Sequence, residues 1–194
     1  MNTTVLWYAT RGAGAVTLVL LSAVVILGLL TVLRVEGRAW PRFLTAGLHR
    51  NLALASLIFL ALHVVTAVVD PYTSLGWLVG FVPFVSPYRT LWLGLGAVAS
   101  DLMLAIVLTS LLRGFVGRGA WRAIHWLAYA SWPVAVVHGL GTGTDSHAAW
   151  MLALDLLCVG AVGVALAIRL ARTPNPLGAS RARAERLARG TVRP

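Results

Sequence analysis

Long apolar runs, separated by short polar or proline-containing segments, make up most of the chain. Each run has about twenty residues, which at about 1.5 Å per helical residue is enough to cross a hydrocarbon core of about 30 Å. The first run lacks the short core and small-residue cleavage site of a secretory signal, so we expect a retained helix. The pattern predicts an all-α integral membrane protein, a bundle of five transmembrane helices. The predicted spans are residues 13–33, 49–69, 91–112, 123–140 and 148–168.

The remaining segments predict how the chain is organised around these spans. Residues 1–12 are expected to form a short external segment, and residues 13–170 the transmembrane domain. Residues 70–90 are apolar but interrupted by prolines and glycines, which favours an interfacial or re-entrant lid over a span. Residues 171–194 form a basic tail that we expect to be cytoplasmic and either disordered or lying on the membrane surface.

The composition is typical of a membrane protein. The chain is 59% hydrophobic and 11% charged, and its 194 residues leave no room for a second domain. A formal net charge of +10 would suggest nucleic-acid binding in a soluble protein, but the arginines cluster at helix ends and in the tail. We therefore expect the lipid bilayer, and no nucleic acid, as a partner. The single cysteine, Cys158, excludes an intramolecular disulfide.

The arginine distribution predicts the orientation in the membrane. The loops at residues 34–50 and 113–122 and the tail from residue 169 hold 14 arginines, against Arg11 and Arg89 on the opposite side. The positive-inside rule then places the N-terminus outside and the C-terminus in the cytoplasm, in a multi-pass protein of the cytoplasmic (plasma) membrane. With five spans, the second and the fourth both run from inside to outside and are therefore parallel.

Four of the five histidines lie as two widely spaced pairs in two predicted spans. His49 and His63 are fourteen residues apart in the second span. His125 and His138 are thirteen apart in the fourth, so each helix offers one imidazole near each membrane face. Parallel helices would bring His49 to His125 on the inner side. The other two rings would meet on the outer side.

Two facing imidazoles suit the two axial positions of a haem, because the porphyrin already supplies four equatorial nitrogens. A bare zinc ion would instead require four protein ligands, or three and a water molecule. The sequence therefore predicts two haem sites stacked across the bilayer.

The pair in the fourth span requires an irregular helix. At about 100° per residue, fourteen positions return to within about 40° of the starting face, whereas thirteen leave His138 about 140° away from His125. Pro133 lies between these two histidines. Because proline removes a backbone hydrogen bond and kinks a helix, we expect the irregularity at Pro133.

With these spacings, the chain resembles the ferric-reductase-like transmembrane domain family. That family includes ferric reductases, NADPH oxidases and the haem-bearing membrane subunit of the periplasmic methionine sulfoxide reductase system. The resemblance covers roughly residues 10–170 and rests on the two histidine pairs and the short helix hairpin between them. It implies two b-type haems and transmembrane electron transfer. The implied axial ligands are His49 and His125 for the inner haem iron and His63 and His138 for the outer haem iron.

The chain departs from the family in two respects. Many relatives have six helices, and full-length oxidases carry a cytoplasmic flavin and nicotinamide module after the last one. Here about 25 residues follow the last predicted span, with no glycine-rich dinucleotide fingerprint. We therefore expect no flavin or NAD(P) site in this chain, and a separate flavoprotein or a membrane quinol as the electron donor.

The expected function is electron transfer from that donor to an acceptor on the outer side, as an oxidoreductase component. One alternative is a haem-binding subunit that feeds electrons to a separate periplasmic or extracellular reductase. An alternative of another class is a non-redox metal-ion permease or scaffold bundle.

Other polar and aromatic residues are open to two interpretations. Asp101 and Asp155, within the third and fifth spans, could move protons, orient a ligand ring or bond another helix. His147 is expected to be a solvated loop residue, and Trp121 a packing or interfacial residue. Arginines at helix ends either contact haem propionates or anchor the helices. The candidate propionate contacts are Arg42, Arg50 and Arg122 on the inner side and Arg89 on the outer side.

Overall fold

The apolar runs are helical throughout the part of the chain that the computed structural model describes, which is residues 3–33, 41–71, 75–142 and 148–172. Within these ranges the protein is all-helical, as predicted, and has no strand. The elements are α1 (Thr3–Val32), α2 (Arg42–Val69), a short 3-10 helix (Trp77–Gly80), α3 (Thr90–Leu111), α4 (Arg118–Trp126), α5 (Ala128–Thr142) and α6 (Ala149–Ala171).

Four of these helices are long and apolar enough to cross a membrane. Their outer surfaces expose large aliphatic side chains such as Ile58, Leu156 and Leu157, each more than 60% exposed. Apolar surface that is exposed along whole helices of this length is typical of helices in contact with lipid. The chain is therefore a multi-pass membrane protein. The candidate spans are Thr4–Val32, Phe43–Val69, Thr90–Leu111 and Ala149–Ala171.

The predicted span at residues 123–140 is divided into α4 and α5. At the division, the Leu127 N–H donates to the Ile124 carbonyl at 2.9 Å, a bond three residues back that is tighter than an α-helical turn. With 15 residues, α5 is about 22 Å long, which is short of a hydrocarbon core of about 30 Å. Neither piece alone has the length of a span, so this segment differs from the single helix predicted.

The segment between His125 and His138 is divided at Leu127, six residues before Pro133. Pro133 is accommodated inside α5, because a proline removes one helix hydrogen bond without having to end the helix. The break follows His125 by two residues and separates its helix from that of His138. The two rings can therefore be rotated independently. The prediction of an irregular segment is confirmed by this division, which the sequence analysis did not locate, and a contribution of Pro133 stays a prediction.

Two helices begin earlier than the predicted spans. α1 begins at Thr3, so residues 3–12 are helical and continuous with the first predicted span, since no proline interrupts this stretch. The external location of this segment stays a prediction. α2 begins at Arg42, directly after Pro41. Because proline has no N–H, it costs nothing at a helix N-terminus, where that donor would be unpaired.

The segment predicted to be a lid contains no α-helix among its described residues, 70–71 and 75–89. Pro71 disfavours the helical conformation for Asp70, which is extended (φ −71°, ψ 113°) and ends α2. The short 3-10 helix follows, and its Trp77 side chain is 57% exposed. Arg89 then has a left-handed conformation (φ 44°) directly before α3.

α1 is central to the bundle, because it packs against α2, α5 and α6. Leu18 of α1, Val136 of α5 and Cys158 of α6 form a buried apolar cluster. Beside it, the Trp132 indole N–H donates to the Ser22 hydroxyl at 2.9 Å. α3 packs mainly against α5, so the α1–α2 pair and the α3–α5 pair meet at α1 and α5, and α6 packs against α1 beside them.

Two aromatic rings near the lid pack against glycines so closely that a methyl group would overlap them: Trp92 against Gly141, and Phe84 against Gly94. We expect Gly141→Ala to lower stability by about 1–3 kcal/mol, as overpacking does, despite the better helix propensity of alanine. Thermal unfolding of the protein in detergent measures this effect. Gly139→Ala, in the same helix with nothing within 4 Å of the added carbon, is the control. Equal melting temperatures for the two variants would contradict the expected overlap.

Candidate paired-histidine sites

The structure brings the four histidines of the predicted spans together in two pairs. The His49 ring of α2 and the His125 ring of α4 have centres 6.2 Å apart and planes at 59°. The His63 ring of α2 and the His138 ring of α5 have centres 6.2 Å apart and planes at 81°. These pairings require α2 to run parallel to the α4–α5 segment, as predicted. Whether the rings are ligands stays a prediction.

Three of the four rings are held by backbone carbonyls of a neighbouring helix. Because a carbonyl oxygen only accepts, the Nδ1 atom carries the proton in these three rings, and Nε2 keeps its lone pair. Each of these rings is therefore fixed in the tautomer that can ligate through Nε2. The Nδ1 to oxygen distances are 3.0 Å from His49 to Val24, 2.7 Å from His63 to Thr10, and 2.8 Å from His138 to Trp92.

A glycine lies against each of these three rings, four residues after the residue whose carbonyl accepts the bond. A helical side chain covers the turn that precedes it, so a side chain at that position would cover the carbonyl. Glycine leaves the oxygen open to a second donor and leaves room for the ring. The distances from a Cβ built on the glycine to the nearest ring atom are 2.6 Å for Gly96 and His138, 2.9 Å for Gly14 and His63, and 3.5 Å for Gly28 and His49.

The predicted site residues did not include these glycines, although the sequence contains their signal. Gly14 and Gly28 are fourteen residues apart in α1, the same separation as His49 and His63 in α2. In two antiparallel helices, equal spacing brings both glycines level with both rings.

His125 is held in a different way. Its Nδ1 atom is buried and has no hydrogen-bond partner within the described ranges. Trp121, one helical turn earlier, stacks on the ring with centres 5.1 Å apart and planes at 27°. The Trp121 indole N–H donates to the Ser110 hydroxyl at 3.2 Å, and the guanidinium carbon of Arg113 lies 4.7 Å from the indole centre. Trp121 thus contacts a candidate ligand, a role that its predicted packing function did not include.

Arg89, the predicted outer propionate contact, caps the C-terminal end of α5. Its Nη1 donates to the carbonyls of Gly141 at 2.9 Å and Thr142 at 3.2 Å. The Thr142 hydroxyl in turn lies 3.1 Å from Nδ1 of His138. This geometry corresponds to helix-end anchoring, the alternative left open for Arg89, and it connects that anchor to the His138 ring.

No protein-family model, curated protein or solved structure matches this chain. The likeness to ferric-reductase-like domains therefore stays a prediction.

The separation within each pair is compatible with two imidazole rings that hold one metal ion between them. An imidazole nitrogen lies about 2 Å from a metal that it ligates and about 1 Å from its own ring centre, so two rings on opposite sides of one metal have centres about 6 Å apart. Both pairs measure 6.2 Å. Nε2 is available in His49, His63 and His138, so these rings, with His125, would hold a haem iron. The residues present fit a haem in each pair.

Within the described part of the chain, the remaining candidate residues form no hydrogen bond to the four histidine rings. Asp155 is buried in α6, and its Oδ2 atom has no partner within the described chain, while Asp101 is half-buried in α3. Arg50 and Arg122 are exposed. The Arg42 side chain and all of His147 lie outside the described residues. Propionate contacts for Arg42, Arg50, Arg122 and Arg89 stay predictions.

Proposed function

We propose that this chain binds two b-type haems, one between His49 and His125 and one between His63 and His138, and conducts electrons across a membrane. The observation that carries the proposal is the pair of 6.2 Å ring separations, with Nδ1–H bonds that leave Nε2 available. A bound haem supplies a centre that takes up and releases one electron.

The contribution of the chain is to hold and tune the axial ligands. Carbonyl bonds to Nδ1 fix the ring orientation and raise the basicity of the ligating nitrogen. Thr10, Val24 and Trp92 provide these carbonyls from helices α1 and α3. If both imidazoles of a pair held the iron, reactants would exchange electrons at the edge of the haem and would not bind to the iron.

The proposal includes a topology. We infer that α4 and α5 together make a fifth crossing, which puts the N-terminus outside and the C-terminus in the cytoplasm according to the arginine distribution. The His49–His125 pair then forms the inner site and the His63–His138 pair the outer site. Electrons would pass from a cytoplasmic flavoprotein or a membrane quinol to an outer acceptor, as in ferric-reductase-like proteins.

The haem content of the purified protein tests this function. We expect two haems per chain after expression with a haem precursor, and a reduced-minus-oxidised spectrum of six-coordinate haem that carbon monoxide does not alter. In liposomes with a reductant on one side and ferricyanide enclosed on the other, the protein should reduce the enclosed ferricyanide. A folded but colourless protein would refute the proposal, and so would haem that carbon monoxide binds readily.

A further inference from the structure

The His125 subsite departs from the pattern of the other three. Gly96 and Ser110 are fourteen residues apart in α3, as Gly14 and Gly28 are in α1, so Ser110 takes the position where a fourth glycine would be expected. The Cβ of Ser110 covers the turn that precedes it. Its hydroxyl accepts from Trp121, and Trp121 stacks on His125. A stacked indole therefore replaces the carbonyl bond at this ring.

The missing carbonyl bond has an electronic consequence. A carbonyl acceptor at Nδ1 makes an imidazole a stronger electron donor, and a stronger donor stabilises the oxidised form of the iron it ligates. In the His63–His138 pair both rings have this bond. In the other pair His49 has it, and the buried Nδ1 of His125 has no acceptor in the described chain. The ligands of the His49–His125 pair are therefore the weaker donors.

A cation over the indole would also raise the midpoint potential of an iron held by His125. The guanidinium carbon of Arg113 lies 4.7 Å from the Trp121 centre, and that centre lies 5.1 Å from the His125 centre, so the cation is within about 10 Å of His125. A positive charge favours the reduced form of a nearby metal, because reduction removes one positive charge from it. Arg113 is exposed, so salt screens part of this effect.

We propose that Trp121, with Arg113 over its ring, is the positioning residue for His125, and that the His49–His125 site consequently has the higher midpoint potential of the two. The inference rests on the proposed function, since it concerns the relative potentials of two bound haems. In the proposed topology, an electron would then rest at the inner site until an acceptor draws it outward. Premature loss to oxidants outside the membrane would be limited.

A redox titration of the purified protein first assigns the two components. We expect two one-electron steps, and His63→Ala should remove the lower one. If the higher step disappears instead, the inference is overturned while the proposed function stands. If no haem is bound at all, the proposed function itself fails, so the two failures are distinguishable.

Variants of the stack then test its role. We expect Trp121→Leu to shift the higher step to lower potential by about tenfold in the ratio of reduced to oxidised haem, which is about 59 mV for one electron. The uncovered Nδ1 of His125 would then find water as an acceptor. Trp121→Phe keeps an aromatic ring on His125 and should shift the step less, which guards against a folding defect in the leucine variant.

Arg113→Gln should shift the higher step to lower potential, by about threefold in the ratio of reduced to oxidised haem. The shift should diminish at high salt, because the charge lies in a water-facing loop. Arg118→Gln, which removes a charge five residues further along the chain at the start of α4, is the matched control and should shift the step less. The lower step should not move in any of these variants. An unchanged higher step in both Trp121→Leu and Arg113→Gln would overturn the inference.

Discussion

Alanine in place of His63 or His138 is expected to remove one haem from each chain and to leave the other in place. The two rings are 6.2 Å apart and provide both axial nitrogens of one site, so either deletion leaves a single ligand. Loss of a partner that merely orients a ligand already weakens metal binding by about 10- to 100-fold, so loss of a ligand should exceed that. Haem per protein should fall from two to one in both variants.

The complementary variants test the independence of the two sites. His49→Ala and His125→Ala should each remove the other haem, and the double variant of His63 and His125 should bind none. Because every single variant keeps one haem, its remaining spectrum also reports that the bundle has folded.

His147→Ala is the control, because this histidine belongs to neither pair, and it should keep both haems. Two haems retained in His63→Ala or in His138→Ala would show that the pair does not ligate a common iron. Both variants should retain only the haem at His49 and His125. Different spectra for His63→Ala and His138→Ala would therefore also show that these two histidines do not ligate a common iron.

Apolar run lengths were enough to predict the helical fold, whereas the division of one span was not predictable. Nothing around Leu127 marks a helix end, since it lies between helix-forming residues with no adjacent glycine or proline. The nearest breaker by sequence rules was Pro133, which α5 accommodates. The break satisfies a tertiary requirement, because His125 and His138 must both meet rings on α2 although thirteen residues separate them. Local propensity contains no information about that requirement.

The histidine pairing was predictable because helix rise and charge asymmetry are properties of the sequence. The surroundings of the rings were not predicted, since they depend on which helix lies beside which. The role of Gly14 and Gly28 in making room for the rings can be recognised only once α1 is known to run antiparallel to α2 at the level of both rings. Trp121 was predicted to pack, and only the structure places its ring on His125.

Methyl groups added at the three ring-facing glycines are expected to weaken haem binding in a graded series. Gly96→Ala should have the largest effect, about tenfold or more in affinity of the His63–His138 site, because its Cβ would lie 2.6 Å from the His138 ring. That ring cannot move away without losing its bonds to Trp92 and Thr142. Gly14→Ala, at 2.9 Å from the His63 ring, should weaken the same site less. Haem titration of the apoprotein measures each affinity.

Gly28→Ala should leave affinity nearly unchanged, because 3.5 Å from the His49 ring is an ordinary van der Waals contact. Gly12→Ala is the control for Gly14→Ala, since it lies in the same helix with nothing within 4 Å of the added carbon. Alanine improves helix propensity by about 1 kcal/mol over glycine, so a weaker helix would not explain any loss of haem. Equal affinities for the variants at Gly96 and Gly28 would mean that ring position does not control binding. If haem affinity falls only at the His63–His138 site, the space that glycine leaves for these two rings controls haem binding there.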